Sequence, residues 1–346
     1  MNQPRRTAGL RARDRREVLG LLAAAAAARA AAARAASPPI SVNLSELPPD
    51  SADTTSVASG LDLVRRMAVP VSVNDQGPFE FVVDTGANRS VIAYELSQAL
   101  ALPSAGPAKM HGIAGVETTP TVHVKRLRVG TIESGRLRLP VLGQDRMGAQ
   151  GLLGVDVLRN RRVVMNFREQ RLDISPSSDP LYSSTSSASR IPEGARDPSI
   201  VTVPARFRFG QLIIVDATVG ETPVVAFLDS GSQNTVANLA LREQLLARNP
   251  ATAAHLANVE LLSATGQRAA GQLSPLPPLR LGGLTIGGLT AVFSDLHAFA
   301  IWKLLDQPAI LIGVDILHHF YSVTLDFGRR LVTFRTPPKP RPATSP

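Results

Sequence analysis

The sequence predicts a mostly β protein built from two homologous β-barrel lobes with short helices. Two repeated phrases carry this prediction. Apolar residues that run into Asp, a hydroxyl residue and Gly occupy residues 81–87 and recur at residues 226–232. A second phrase, at residues 151–158, recurs at residues 310–317. Short apolar runs between Gly and Pro turns are typical of strands, so we expect each copy to be one lobe and the functional site to lie between them.

The composition divides the rest of the chain into segments. We expect the first lobe to cover residues 63–175 and the second to cover residues 200–336. The stretch between them, residues 176–199, is rich in Ser and Pro and predicts a flexible linker. Residues 37–62 predict a flexible extension, and the Pro-rich residues 337–346 predict a disordered tail.

Each lobe is expected to repeat one order of elements. A hairpin leads into the Asp, and a short helix follows, over residues 93–100 in the first copy and residues 238–248 in the second. Each copy then ends in a Gly-x-Asp helix start and a last pair of strands, as at residues 162–166 and 171–174. Gly282-Gly283 and Gly287-Gly288 are interpreted as hairpin turns, because neither is followed by the Lys and the helix of a phosphate-binding loop.

Residues 1–36 predict an export signal. Arg15-Arg16 precede an uncharged run at residues 18–28, and the small residues around Ala33 and Ala35 are typical of a cleavage site. The paired arginines favour a twin-arginine signal, so we expect a periplasmic or secreted protein. The run is shorter than the roughly 20 residues that span a bilayer, so no stable membrane insertion is expected after signal removal. A cytosolic helix or a disordered tail remains the alternative.

Charge and cysteine content exclude several classes of function. Residues 1–36 carry +6 of the chain's formal net charge of +9, and the remaining basic residues are scattered. We therefore expect no nucleic-acid partner, since that function needs a basic patch or stripe. The chain has no cysteine, which excludes disulfides, a thiol nucleophile and a cysteine-ligated metal.

Asp84 and Asp229 are the candidate catalytic residues, one from each copy of the first phrase. Two carboxyls within hydrogen-bond reach cannot both ionise easily, so one of them keeps a proton near neutral pH. The ionised carboxylate can then take a proton from water while the protonated one polarises a carbonyl. This is chemistry for peptide-bond hydrolysis.

The residues that follow each Asp are predicted to support the active-site loops. Gly86 and Gly231 would permit a tight turn and bring a backbone N–H close to each carboxylate. The hydroxyls of Thr85 and Ser230 could bond across the lobe interface and hold the two loops in register.

The phrases Asp84-Thr85-Gly86-Ala87 and Asp229-Ser230-Gly231-Ser232, each followed by an apolar-apolar-Gly-x-Asp segment, resemble aspartic proteases. Within that family the short, cysteine-free lobes are most similar to retropepsins, in a tandem-duplicated, single-chain bacterial form. The resemblance covers roughly residues 63–336. It implies an aspartic-type endopeptidase that acts on peptide or protein substrates as a two-lobed monomer, without cofactor or metal.

The resemblance also implies a flap over the cleft. It places the first flap at Gly112, Ile113, Ala114 and Gly115, and a second at residues 264–268 around Gly266. Neither hairpin has the tyrosine of pepsin-type flaps, which favours the retropepsin comparison.

Other acidic and basic residues are weaker candidates. Asp156 and Asp315 occupy matched positions and are interpreted as helix N-caps rather than metal ligands. His318 and His319 lack the spacing of a metal pair on one helix face, so no metal site is expected. Two other functions remain open: a non-catalytic peptide-binding protein on the same fold, and an interaction protein whose lobes self-associate separately.

Overall fold

The computed structural model describes residues 40–43, 66–130, 132–177, 197, 199–214, 216–250 and 257–337. The predicted export signal, most of the predicted extension and linker, and the tail after Pro337 lie outside the described residues. In the part that is described, no helix has the length and apolar character needed to cross a membrane.

The first lobe and the strand that precedes it follow the predicted order of elements. The strands are β1 Ile40–Asn43, β2 Ala68–Val73, β3 Gln76–Val83, β4 Val91–Ala93, β5 Ser104–His111, β6 Val116–Val129, β7 Ile132–Leu142, β8 Gly151–Leu153, β9 Arg161–Asn166 and β10 Arg171–Pro176. The helices are α1 Tyr94–Ala99, α2 Gln144–Met147 and α3 Val155–Leu158.

The second lobe repeats this order with shorter strands. The strands are β11 Ile200–Arg208, β12 Gln211–Ile214, β13 Ala217–Val219, β14 Thr222–Pro223, β15 Val225–Leu228, β16 Val236–Ala237, β17 Ala257–Leu262, β18 Arg268–Leu276, β19 Leu279–Leu281, β20 Leu284–Gly287, β21 Leu289–Phe293, β22 Ala309–Ile312, β23 Ser322–Asp326 and β24 Leu331–Arg335. The helices are α4 Leu239–Arg248, α5 His297–Ile301 and α6 Val314–Leu317.

The first lobe is a closed six-stranded barrel in the order β2-β3-β8-β4-β7-β6, and β6 returns to pair with β2. Val69, Val71 and Val73 are buried at alternate positions along β2, whereas three consecutive residues, 81–83, are buried at the end of β3. The period of two along β2 is the one that the sequence shows. The predicted mostly β class is confirmed.

The second lobe is split between two sheets. β13 and β14 lie with β19, β20 and β1 in a five-stranded sheet, whereas β15, β16, β18 and β21 belong to a larger one. Pro277 and Pro278 separate β18 from β19, because proline cannot donate to a strand ladder. The interpretation of Gly287-Gly288 as a hairpin turn was wrong: β20 pairs with β19 and β21 with β18, so the chain passes there from one sheet to the other.

A sheet shared by the lobes joins them, which the sequence analysis did not predict. The second-to-last strands of the lobes pair antiparallel, β9 against β23, with Val163 opposite Leu325 and Met165 opposite Val323. β10 flanks β9, and β24 and β11 continue the sheet from β23. All four paired apolar residues are buried, so this junction belongs to the core.

Part of the predicted N-terminal extension is a strand. β1 pairs in parallel with β20, and Ile40 lies opposite Leu284. The backbone at residues 40–43 is therefore attached to the edge of a sheet of the second lobe.

Candidate active site

The two repeated phrases lie side by side in each lobe. β3, which ends just before Asp84, pairs in parallel with β8, and β15, which ends just before Asp229, pairs in parallel with β22. The backbone N–H of Asp84 donates to the Leu153 carbonyl at 3.0 Å, and that of Asp229 donates to the Ile312 carbonyl at 2.9 Å. The second phrase of each copy is thus the support on which the Asp loop rests.

Each carboxylate is held by two backbone N–H groups of its own loop. Asp84 Oδ1 accepts from Gly86 N at 3.0 Å and from Ala87 N at 2.9 Å. Asp229 Oδ1 accepts from Gly231 N at 2.9 Å and from Ser232 N at 3.2 Å. These bonds fix Oδ1 of each carboxyl, and Oδ2 accepts no hydrogen bond from its own loop.

The hydroxyls of Thr85 and Ser230 lock the two loops together across the lobe interface. Thr85 Oγ1 donates to the Leu228 carbonyl at 2.9 Å and accepts from Ser230 N at 3.0 Å. In the mirrored arrangement, Ser230 Oγ donates to the Val83 carbonyl at 2.8 Å and accepts from Thr85 N at 3.1 Å. Both side chains are buried, so the loops keep the register that the sequence analysis predicted.

Asp84 and Asp229 meet at this interface, and their side chains are hydrogen-bonded to each other. Asp229 is buried, and Asp84 is half-buried. The sequence therefore identified two carboxyls that the fold does bring together.

The glycines after each Asp bring a backbone N–H to the carboxylate, as predicted, but the predicted tight turn is wrong. Neither Gly86 nor Gly231 has a positive φ, so no tight turn requires them. A Cβ on Gly86 would lie 2.4 Å from Asp229 Cγ, and a Cβ on Gly231 would lie 2.3 Å from Asp84 Cγ. Only glycine lets each loop approach the carboxyl of the other lobe this closely.

Burial keeps a proton on the pair. Loss of solvation raises the pKa of Asp84, and the N–H groups of Ala87 and Gly86 and the charge of Arg66 partly offset this. Loss of solvation together with the negative charge of Asp84 raises the pKa of Asp229 to about 8. The pair can therefore hold one proton and one negative charge at neutral pH, as two adjacent acids require.

The prediction that Asp156 and Asp315 are helix N-caps was wrong. The caps are Gly154 and Gly313, and neither cap makes a side-chain bond. Asp156 Oδ1 instead accepts from Ser90 N at 2.9 Å and from Ser90 Oγ at 2.7 Å. Each carboxylate also accepts from the next backbone N–H of its helix, Asp156 from Val157 N at 3.0 Å and Asp315 from Ile316 N at 2.9 Å, so it bonds both the Asp loop and the start of the helix.

The same bonds recur in the second lobe and fasten each Asp loop to its second phrase. Asp315 accepts from Thr235 N and Thr235 Oγ1, both at 2.8 Å. The same Thr235 Oγ1 accepts from Gly313 N at 3.1 Å, as Ser90 Oγ does from Gly154 N at 2.9 Å.

The predicted flap residues form two hairpin tips that touch each other. In the first, Gly112 N donates to the Gly115 carbonyl at 2.8 Å between β5 and β6. In the second, Gly266, at φ +83°, lies between β17 and β18. The tips are close enough that a Cβ on Gly112 would lie 2.2 Å from Thr265 Oγ1.

Side chains on both sides strengthen this contact. Ile113 packs against an apolar cluster of the second lobe that includes Phe227 and Trp302, while Ala114 is half-buried at the tip. His111 and His297 stack across the lobes, with Nδ1 of the first 3.1 Å from Nε2 of the second. The hairpin tips therefore form a second contact between the lobes.

Two residues near the dyad escaped the sequence analysis: Arg66 and Gln211. Gln211 Nε2 donates to the Gly86 carbonyl at 2.9 Å and to Asn88 Oδ1 at 3.0 Å, from the opposite lobe. Arg66 acts electrostatically on Asp84 and Asp229. Each lies 18 positions before the Asp of its own lobe, and that shared spacing was the available signal.

No cluster of three or more His, Asp or Glu side chains suited to a metal ion occurs among the residues that the structure describes. His318 and His319 lie together beside α6, with ring centroids 4.1 Å apart.

Two family models match the chain, one in each lobe. The model described as gag-polyprotein putative aspartyl protease matches residues 69–160, and the model described as aspartyl protease matches residues 215–316. Each matched range contains one Asp loop and the Gly-x-Asp segment that supports it. A search of curated proteins found no match.

Proposed function

Because the chain belongs to the aspartyl proteases, with two retropepsin-like domains in tandem, we propose that it is an endopeptidase whose Asp84 and Asp229 form the catalytic dyad. The observation that carries this proposal is the pair itself. Two carboxyls, one buried and one half-buried, are hydrogen-bonded to each other, and each keeps an oxygen that its own loop does not occupy.

The proposed reaction uses one proton and one negative charge on the dyad. Asp84, ionised, takes a proton from a water molecule as that water attacks the peptide carbonyl, and Asp229 donates its proton to the carbonyl oxygen. The tetrahedral intermediate then collapses: one carboxyl returns a proton to the departing amine, and the other takes one from the intermediate. The dyad ends with one proton, as it began.

The proposed substrate is an extended peptide that lies between the hairpin tips and the dyad. Strand-like binding would supply main-chain hydrogen bonds, and side-chain pockets would set preference.

The test is cleavage of a mixed peptide library by the full chain and by the Asp84→Asn and Asp229→Asn variants. Each Asn keeps the shape of the side chain but cannot share the proton, so we expect a loss of at least 10²–10⁴-fold in kcat/KM. The matched control is Asp306→Asn, an exposed carboxylate that should leave kcat/KM unchanged.

Peptidase activity at the wild-type level in either dyad variant would refute the proposal. A wild type that binds library peptides without cleaving any of them would instead support a non-catalytic peptide-binding protein.

The proposed active form is a monomer. One chain supplies both carboxyls, and the pairing of β9 with β23 joins its two lobes in one sheet. Sedimentation at the concentration of the assay tests this. Activity confined to a dimer would contradict it.

We further propose that the protein works outside the cytoplasm, because residues 1–36 contain paired arginines followed by an apolar run. Sequencing the N-terminus of the exported protein should place it near Ser37. An exported chain that still begins at Met1 would contradict signal cleavage.

A further inference from the structure

Arg66 and Gln211 occupy equivalent places in the two lobes. In the β2–β3 pair Ala68 lies opposite Val82, and continuing that register by two residues puts Arg66 opposite Asp84. In the β12–β15 pair Ile213 lies opposite Phe227, so the same step puts Gln211 opposite Asp229. The duplicated scaffold thus presents a cation beside one Asp and a neutral amide beside the other.

The guanidinium of Arg66 is seated in its own lobe rather than paired with an acid outside the dyad. Its Nη2 donates to the Met147 carbonyl at 2.5 Å. Its Nε is buried and has no hydrogen-bond partner. Gly148, at φ +67°, leaves room for it, since a Cβ there would lie 3.2 Å from Nη2.

The charges that act on this group are those of the dyad. Burial lowers the pKa of Arg66, while Asp84 and then Asp229 raise it. A guanidinium stays protonated in proteins, so a fixed positive charge faces the pair. Among the charged groups, only Arg66 and Asp229 contribute to the main causes that shift the pKa of Asp84.

The second lobe has no such charge at the matched position. Gln211 turns its amide to the Gly86 carbonyl and to Asn88, which ties it to the first lobe without affecting the charge of Asp229. The main causes that shift the pKa of Asp229 are burial, Asp84 and two backbone N–H groups, with no cation among them.

We propose that Arg66 is a positioning residue that breaks the near-symmetry of the dyad, because its fixed charge keeps the negative charge on Asp84 and leaves the shared proton on Asp229. The inference rests on the proposed function for its catalytic meaning, since it decides which carboxyl receives the proton of water. The charge asymmetry itself is a property of the folded protein and can be measured without turnover.

The test is the Arg66→Gln variant, which gives the first lobe the residue that the second lobe already has. The side-chain carboxyl carbons of ¹³C-labelled aspartate are followed by NMR from pH 2 to 10, and the dyad signals are assigned with Asp84→Asn and Asp229→Asn. We expect the lower of the two ionisations of the pair to rise by about one pH unit, as removal of a nearby opposite charge requires. The acidic limb of the pH profile of kcat/KM should move to higher pH by the same amount.

Two further variants separate charge from shape. Arg66→Lys keeps the charge and should restore most of the shift. Arg89→Gln removes an exposed positive charge from the loop that follows Asp84, and it should leave the ionisation of the dyad unchanged.

If Arg66→Gln does not fold, the Lys variant and the wild type still decide the matter, since the wild type must show the first ionisation on Asp84. A first ionisation on Asp229, or a titration unchanged in Arg66→Gln, would overturn the inference. A wild type without peptidase activity, but with an Arg66-dependent titration, would refute the proposed function and leave the inference standing.

Discussion

The two lobes are nearly identical at the Asp loops and diverge a short distance away. Each loop gives its carboxylate two N–H donors from the same relative positions, and each hydroxyl makes the mirrored pair of bonds across the interface. Beyond the loops, the first lobe is a closed barrel with the long strands β6 and β7, whereas the second is split at Pro277-Pro278 and Gly288. Equivalence is kept where two carboxyls must meet and is lost where each lobe only has to fill its own core.

The equivalence of the lobes around the carboxyls has one exception, which lies beside the dyad. Arg66 and Gln211 hold matched positions next to equivalent Asp residues, yet one is charged and the other is not. The comparison therefore distinguishes a symmetric part, which positions the carboxyls, from an asymmetric part, which distributes their charge.

The largest expected effect tests the symmetric part. Gly86→Ala and Gly231→Ala should each abolish peptidase activity, because the added methyl would lie 2.4 Å and 2.3 Å from the carboxyl carbon of the opposite Asp. Turnover of a cleaved library peptide measures this.

Gly135→Ala is the control for the glycine variants, since its Cβ would meet the Lys125 carbonyl at an ordinary 3.5 Å. Near-normal turnover in either loop variant would show that the lobes do not approach each other this closely.

The second effect concerns stability. Thr85→Val and Ser230→Ala each strand a buried N–H and a buried carbonyl of the opposite loop, and a buried polar group left unpaired costs about 1–3 kcal/mol. We expect a similar fall in unfolding free energy for the two variants and less than additive loss in the double variant, since they share bonds.

Denaturant unfolding measures the three variants, with Thr202→Val, at an exposed position, as the control. A large loss of unfolding free energy in one single variant and none in the other would contradict the equivalence of the two loops.

The third effect is a pH dependence of stability. The pKa of Asp229 is raised by burial, to about 8, above its unfolded value of about 3.9. The protonated form is thus favoured by folding, and the stability that it contributes is lost as pH rises through that window. Asp229→Asn has no proton to lose, so its Tm relative to wild type should increase from about pH 4 to about pH 8 and then level off.

Thermal melts across this range test the prediction, and Asp306→Asn should show no such trend. A Tm difference for Asp229→Asn that is flat with pH would mean that this carboxyl titrates normally in the folded protein.

The smallest effect lies at the hairpin tips. Arg146 Nη1 bonds Glu117 of the first lobe and the Thr265 carbonyl of the second, but the ion pair is partly exposed. Exposed pairs contribute about 0–1 kcal/mol, so Arg146→Gln should hardly change Tm, while KM for a peptide changes by a few-fold at most. A loss of stability of several kcal/mol would show that the tips hold the lobes together.

Much of the fold and the core of the site follow from the sequence because they are local or repeated. Alternating apolar residues predicted β2, short apolar runs predicted the strands beside the Asp loop, and the duplication identified Asp84, Asp229 and the interlocking hydroxyls of Thr85 and Ser230. These features depend on residue type and order along the chain.

The remainder depends on what the fold brings together from distant parts of the chain. No local pattern says that β9 pairs with β23, or that Asp156 accepts hydrogen bonds from the distant Ser90. The need for Gly86 arises only when the other lobe is in place, and Arg66 gains its importance from facing a dyad that one lobe alone does not have.

The most direct test of a dyad shared within one chain is to assay Asp84→Asn, Asp229→Asn and an equimolar mixture of the two. If each chain builds its single site from both lobes, all three samples lack peptidase activity. If lobes instead pair with their own copies between chains, each variant keeps one intact symmetric pair. Activity in either single variant, or its recovery on mixing, would contradict the account.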